Sequence, residues 1–223
     1  MRTNAFSISL LLCFLLFGGL SVTFAQTFDI ASGGLPTITG NVGGSVTGSS
    51  STNSNLAVTI NFGEVSPSNH NNIVKVVVPI AIRATSAYKV TAAVTGSTNT
   101  NLQAIQRTDI GFGANNMHSM GGLLARECDS SPHLFASPFG NDPASSIFIA
   151  SNGRAAYPST LNNLLASTTI VSGPPVSWLS AGRLSNNGYI FNAIFTITPQ
   201  FYAAGTASLT VTFTISSGPN VPC

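Results

Sequence analysis

The chain has 223 residues, a formal net charge of +2 and only 6% charged residues, whereas ordinary soluble domains carry about 25%. Basic residues are too few for a nucleic-acid-binding patch, and no acidic run is present to attract cations or basic partners. The length suits one domain. Asn, Ser, Thr and Gly supply a polar, uncharged surface that offers little electrostatic defence against self-association.

The first 25 residues have the three parts of a secretory signal peptide. Arg2 supplies the positive start, residues 8–17 form an apolar run, and Thr23-Phe24-Ala25 places small residues at the cleavage site. Gly18 interrupts the run well before the roughly 20 apolar residues that a membrane span needs. We therefore expect cleavage before Gln26 and a secreted or cell-surface protein. The sequence contains no Asn-x-Ser/Thr sequon, which favours a bacterial export route.

Residues 26–55 follow the signal peptide and are rich in Gly, Ser and Thr. They contain one weak strand pattern at residues 28–30 and another near Ile38, whereas the composition of residues 45–55 is typical of a flexible polar loop. We expect this region to form one or more N-terminal strands and a linker ahead of a domain that spans 56–223.

Five segments of that domain alternate apolar residues with small or polar ones, which is the pattern of half-buried antiparallel strands. The segments are Leu56–Phe62, Val74–Ile82, Tyr88–Val94, Tyr189–Ile197 and Leu209–Ile215. The pattern predicts an all-β fold, an antiparallel β-sandwich of the Ig-like or jelly-roll-like kind with roughly eight to ten strands. The apolar side of these strands should form the core, with inward-facing Val76, Val78, Ile80, Phe191, Phe195, Leu209, Val211 and Phe213. Pro79 lacks an N–H group, which predicts a sheet edge or a bulge at that position.

Between residues 112 and 187 the alternation fades into a stretch rich in Gly, Asn, Pro and Ser. The pattern predicts a long irregular insertion, which is typically either functional or mobile. Cys13 leaves with the signal peptide, so Cys128 and Cys223 remain as a pair in an oxidising compartment. We expect them to form a disulfide.

Two short stretches carry a resemblance to a known family. Residues 60–67 (INFGEVSP) end a strand with an FG-x-V-x-P turn, and residues 203–215 join Ala-Ala-Gly-Thr-Ala to an alternating strand. Both resemble the pilin-like β-sandwich subunits of the spore coat U and chaperone–usher type. The resemblance implies an Ig-like fold and a surface or fibre role. In such a fibre, segment 27–40 would be the natural donor or docking strand.

Candidates for catalysis and metal binding are few. Ser119 follows His118, but no Gly-x-Ser-x-Gly elbow is present, so a secreted hydrolase is the weaker hypothesis. The spacing of His118, Cys128, Asp129 and His133 does not match that of zinc ligands, and no calcium-binding loop pattern occurs. We therefore assign no catalytic residue, no metal ligand and no cofactor.

A glycan-binding face would use exposed aromatic rings with polar residues at their edges. The candidate ligand-binding residues are Trp178, Tyr157, Tyr189, Arg154 and Arg183. Trp178 more often fills the core of a sandwich, because tryptophan is highly buried on average.

Two function hypotheses follow. The leading one is a non-enzymatic structural or adhesive protein, secreted or held at the cell surface, that self-associates as a fibre or matrix subunit. The alternative is a secreted carbohydrate-binding module that uses loops of residues 112–187. Neither hypothesis involves nucleic acid or a membrane span in the mature chain.

Overall fold

Two antiparallel β-sheets pack face to face in the computed structural model. It describes residues 27–40, 44–52, 54–65, 74–99, 107–123, 125, 133–140, 148–149, 155–156, 159–177, 188–197 and 205–219. The predicted signal peptide and both mature cysteines lie outside these ranges. The cleavage site and the Cys128–Cys223 disulfide therefore stay predictions, which intact-mass spectrometry with and without reductant would check.

The described part of the chain consists almost entirely of strands. Their bounds are β1 (Phe28–Ser32), β2 (Thr37–Thr39), β3 (Ser45–Thr52), β4 (Asn55–Val65), β5 (Val74–Ala84), β6 (Tyr88–Asn99), β7 (Ile110–Ser119), β8 (Leu134–Phe135), β9 (Phe148–Ile149), β10 (Ala155–Ala156), β11 (Ser159–Thr160), β12 (Thr168–Gly173), β13 (Tyr189–Ile197) and β14 (Gly205–Ser217). Short 3-10 helices occupy Arg107–Asp109 and Leu161–Leu164.

Sheet I has the strand order β1-β5-β13-β7-β11, with β2 also paired to β5. Sheet II has the order β3-β4-β14-β6-β12-β8, and β9 and β10 form a separate two-stranded hairpin. Every named pairing is antiparallel. The predicted all-β antiparallel sandwich is thus confirmed.

The core lies between the two sheets and is formed by the apolar side of each alternating strand. The eight residues expected to face inward are all buried, with exposed fractions of 3% or less. They are Val76, Val78, Ile80, Phe191, Phe195, Leu209, Val211 and Phe213. Because successive side chains of a strand point to opposite faces, the position of this core also fixes which residues face outward.

The predicted loop at residues 45–55 is instead a strand and a tight turn. β3 pairs with β4 from Ser45 opposite Asn61 to Thr52 opposite Asn55. The strand was missed because its sequence, SVTGSSST, has one large apolar residue, Val46, which is half-buried against the core. An edge strand of this kind has little of the alternation that reveals buried strands.

The region of residues 112–187 is also more regular than its composition predicts. β7 runs through the middle of sheet I, and β12 pairs with β6 in sheet II. In β7, Ile110 and Phe112 alternate with Gly111 and Gly113, but glycine is depleted in strands, so the composition predicted a loop. Alternation is weak in β12, where the pairing shifts register between Thr169 and Val171. The prediction of an irregular insertion is therefore wrong for these two strands.

Pro79 lies opposite a break in the neighbouring strand. β1 pairs with one half of β5 and β2 with the other half, and between them the Gly33 N–H donates to the Pro79 carbonyl at 2.8 Å. The chain therefore passes the proline without a complete ladder, which proline would disrupt. A Cβ atom at Gly33 would lie 2.5 Å from Cδ1 of Ile190, so a larger residue would force the Ile190 side chain to shift.

The outer faces of the two sheets differ. On sheet I the outward-facing Ala81, Arg83, Ile194 and Thr196 are all buried, and the backbone of β10 lies against β7 and β13. On sheet II outward-facing threonines such as Thr59 are exposed. Sheet I is therefore covered on both faces, whereas sheet II is open on one.

Candidate functional site

Tyr189 is the one predicted glycan-binding residue that falls within the described ranges. Its side chain is only 8% exposed, and its ring centroid lies 4.5 Å from that of His133. A sugar ring stacks on an open aromatic face, and this face is covered. Tyr189 is therefore not an exposed stacking residue. The other four candidates lie outside the described residues: Trp178, Tyr157, Arg154 and Arg183.

His133 is part of a buried structural contact. Its Nδ1 atom lies 2.7 Å from the hydroxyl of Tyr88, which is fully buried in β6. Gly173 leaves room for this contact, because a Cβ atom there would lie 2.4 Å from Nδ1 of His133. Burial lowers the pKa of His133 to about 4 and raises the pKa of Tyr88 above its ordinary value. A neutral imidazole thus joins sheet II, through Tyr88, to Tyr189 of sheet I.

The neighbouring His118 and Ser119 do not form a catalytic pair. His118 is exposed, and its Nδ1 atom lies 2.8 Å from the carbonyl oxygen of Asn116. The hydroxyl of Ser119 accepts a hydrogen bond from the N–H of Gly121 at 3.2 Å. A serine nucleophile needs its base within hydrogen-bond reach, and here each side chain contacts nearby backbone instead.

The described residues contain no group of three or more His, Cys, Asp or Glu side chains arranged to hold a metal ion. Within the described ranges, no helix is long and apolar enough to cross a membrane.

An ion pair that the sequence patterns did not reveal links β1 to β5. Asp29 and Arg83 are directly opposite each other in the register, and Nη2 of Arg83 contacts Oδ2 of Asp29. Both residues are buried on the outer face of sheet I, and among the described residues Nε and Nη1 of Arg83 have no hydrogen-bond partner. The available signal was the charge of Asp29 in the apolar strand β1 and that of Arg83 in β5, which also contains Lys75. The ion pair links β1 to β5 within sheet I.

The outer face of sheet II is a polar surface of exposed and half-buried threonines. It is termed here the threonine face and consists of Thr47, Thr59, Thr95, Thr210 and Thr212. Thr47, Thr59 and Thr210 form one row across β3, β4 and β14. The hydroxyl groups of Thr59 and Thr210 are 2.9 Å apart, and those of Thr95 and Thr212 are 3.1 Å apart. Cross-strand pairs of this kind stabilise a sheet modestly.

The threonine face has no charge at its centre. Among the strands of sheet II only β4 and β6 contain charged residues, namely Glu64 and Lys89. Glu64 is paired with Thr206 at one end of β14, and Lys89 with Ser216 at the other end. The middle of the face can therefore meet another uncharged surface without desolvating a charge, which would be costly. The alternating threonines of β14 were the sequence signal for it.

Strand β3 borders the threonine face and forms one edge of sheet II. It is eight residues long and contains neither a charged residue nor a proline. Natural edge strands usually carry charges, prolines or bulges that prevent pairing with other chains. In β3 the register is continuous from Ser45 to Ser50 and shifts only beside the turn to β4.

Comparisons of the chain with protein-family models, with curated proteins and with solved structures each found no match.

Proposed function

We propose that the protein is a non-enzymatic structural or adhesive protein of the cell exterior whose copies associate into a fibre or matrix. The observation that carries the proposal is the open, uncharged threonine face of sheet II together with its unprotected edge strand. The threonine face provides hydroxyl groups that can bond to a neighbouring surface, and β3 provides backbone groups that can do so in register.

Low charge supports the proposal on a second ground. A net charge far from zero keeps proteins apart in solution, and this chain has a formal net charge of only +2. Repulsion between copies is therefore weak. The two charged residues of sheet II lie at opposite ends of its face, so they do not oppose contact at its centre.

The N-terminal segment bears on how such an assembly would form. β1 and β2 already pair with β5 of the same chain, and Asp29 is buried against Arg83. A donor role for segment 27–40 would therefore require neighbouring copies to exchange it, as in a domain swap. β3 has no partner strand on its outer side within the described part of the chain, so it needs no such exchange and is the simpler route.

The alternative, a glycan-binding module, receives no support from the described residue that was predicted for it. Tyr189 lies against His133 and presents no open ring face. Glycan-array binding of Trp178→Ala and Tyr157→Ala variants remains the appropriate test of this alternative.

Electron microscopy and sedimentation of the purified chain over a range of concentrations test the proposal. We expect ordered fibres or sheets at high concentration and smaller species on dilution. A monodisperse monomer at every concentration would contradict the proposed function.

A further inference from the structure

The edges of the two sheets are not equally protected. On sheet I, β1 and β2 divide the edge into two short strands, and the intervening segment contains Pro36. Both features are among those that discourage edge-to-edge pairing. At the opposite edge, two-residue β11 pairs with β7, and the Ala114 N–H farther along donates to the carbonyl of Phe139 at 2.8 Å.

The far edge of sheet II is also covered. β12 is bordered there by the two-residue strand β8, and the N–H of Ala136 continues the pairing by donating to the carbonyl of Ile170 at 2.9 Å. Among the described edges, β3 is thus the long and regular one that lacks these protections. In an antiparallel ladder every second residue directs its N–H and C=O groups toward one side, so β3 offers a row of such groups on the side away from β4.

From this asymmetry we infer that β3 pairs with β3 of a second copy of this chain, antiparallel and across a twofold axis. Sheet II of one copy and sheet II of the other, with six strands each, then form one continuous sheet. The threonine faces of the two copies become one surface. This inference deepens the proposed function by naming its first contact, and it rests on that function only for the further growth of the assembly.

A second copy fits this edge for reasons of symmetry and charge. An antiparallel pairing of one strand with itself is self-complementary, as a twofold interface requires. β3 contains no charge, and Glu64 of β4 lies beyond the end of β3, whose first residue is opposite Asn61. No like charges therefore face each other along the contact. A contact made mainly by one strand is small, so the dimer should form reversibly and depend on concentration.

The test places a charge on the edge. Thr47 is exposed on the outer face of β3, so Thr47→Lys should fold normally, which circular dichroism and the thermal midpoint would verify. In the dimer, the Thr47→Lys substitution brings two ammonium groups to the shared edge, where like charges oppose pairing. By sedimentation equilibrium we expect the dissociation constant of the dimer to rise at least about tenfold. Thr47→Glu should have the same effect.

Thr95→Lys is the matched control. Thr95 is exposed on the same face, but it lies on β6, which is an interior strand of sheet II. The control adds the same charge to the same face and should leave the dimer intact. Mixing the Thr47→Lys and Thr47→Glu variants should restore a heterodimer, since opposite charges then meet. Hydrogen exchange should show that the amides of β3 become protected as wild-type concentration rises.

Several outcomes would overturn the inference. These are a wild-type chain that stays monomeric, Thr47 variants that associate as the wild type does, an equal effect of Thr95→Lys, and a mixture that does not restore the dimer. Different results would refute the proposed function. Fibres that persist in Thr47→Lys would refute the role of β3 and leave the fibre function intact, whereas a β3 dimer that never grows would support the inference and refute the fibre function.

Discussion

The outer faces of sheet I and sheet II differ in solvent exposure. On sheet I, Ala81 and Ile194 point away from the core and are still buried, each with 1% exposure. On sheet II, Thr59 and Thr95 occupy equivalent outward positions and are exposed. The sequences record this difference: β5 and β13 are almost continuously apolar, whereas β14 alternates strictly. Near-continuous apolar strands indicate a sheet that is covered on both faces.

This comparison shows which face is available to other molecules. The covered face of sheet I holds a buried ion pair, and the backbone of β10 lies close to β7 and β13. The open face of sheet II has uncharged side chains at its centre, namely paired threonines with Ala57 and Ala93 opposite Thr212, and it lies next to an edge strand without charge. Contact with a partner is therefore expected on sheet II, and contacts within the chain dominate sheet I.

The largest expected difference lies within β14, between its core side and its open side. Phe213 is fully buried, so Phe213→Ala should reduce the free energy of unfolding by about 3–5 kcal/mol. Thr212 is the next residue and belongs to the threonine face, so Thr212→Ala should change it by only about 0.5 kcal/mol. A denaturant titration of both variants measures the difference. Equal losses would mean that the faces of β14 are assigned wrongly.

The ion pair provides the next test, since it exists only on the covered face. Arg83→Met leaves Asp29 buried without its partner, which should cost about 3 kcal/mol. Replacing both residues, as in Asp29→Leu with Arg83→Met, should recover most of that loss. Lys89→Met removes the same charge from the half-buried end of sheet II and should cost about 0.5 kcal/mol or less. Similar losses for the two single variants in a denaturant titration would refute the contrast between the faces.

Ile194→Ala tests the cover on sheet I more directly. If the outward side chain of Ile194 is enclosed, as its 1% exposure indicates, the substitution should cost about 2 kcal/mol, the lower end of the range for buried aliphatic residues. Thr212→Ala again serves as the matched control on the open face. A loss for Ile194→Ala as small as that for Thr212→Ala would mean that sheet I is not covered at this position in solution.

Much of the sandwich could be predicted from local pattern, because burial on one face forces strict alternation. Leu209–Ile215 shows it most clearly, with Leu209, Val211 and Phe213 all in the core. β3 was missed because an edge strand can be polar on both sides. β7 was missed because Gly111 and Gly113 belong to a residue type that is depleted in strands, although they alternate with Ile110 and Phe112.

The candidate site was less predictable because it depends on residues that are distant in sequence. The alternating threonines of β14 are visible in the sequence, but their meeting with Thr59 and Thr95 depends on strand order. The contact between Tyr88 and His133 likewise joins residues 45 positions apart. Local pattern indicates which face a residue occupies, whereas the partner across the sheet follows from tertiary structure.

The smallest expected effect concerns the place where the two sheets meet at His133. Burial lowers its pKa from 6.5 to about 4, so the folded chain resists protonation that the unfolded chain accepts below about pH 6.5. Between these values the unfolded state binds more protons, and stability falls as the pH is lowered from about 6.5 to about 4. Because the ring is only partly buried, solvent screening should limit the loss to about 1–2 kcal/mol.

Urea titrations at several pH values measure this effect. His133→Gln removes the titrating group and should flatten the pH dependence of stability in that window. His118→Gln is the control, because His118 is exposed and contacts only nearby backbone among the described residues, and it should leave the dependence as in the wild type. A pH dependence that persists in His133→Gln would show that the contact with Tyr88 and Tyr189 does not keep the imidazole neutral, and that other groups control the acid stability of the junction between the two sheets.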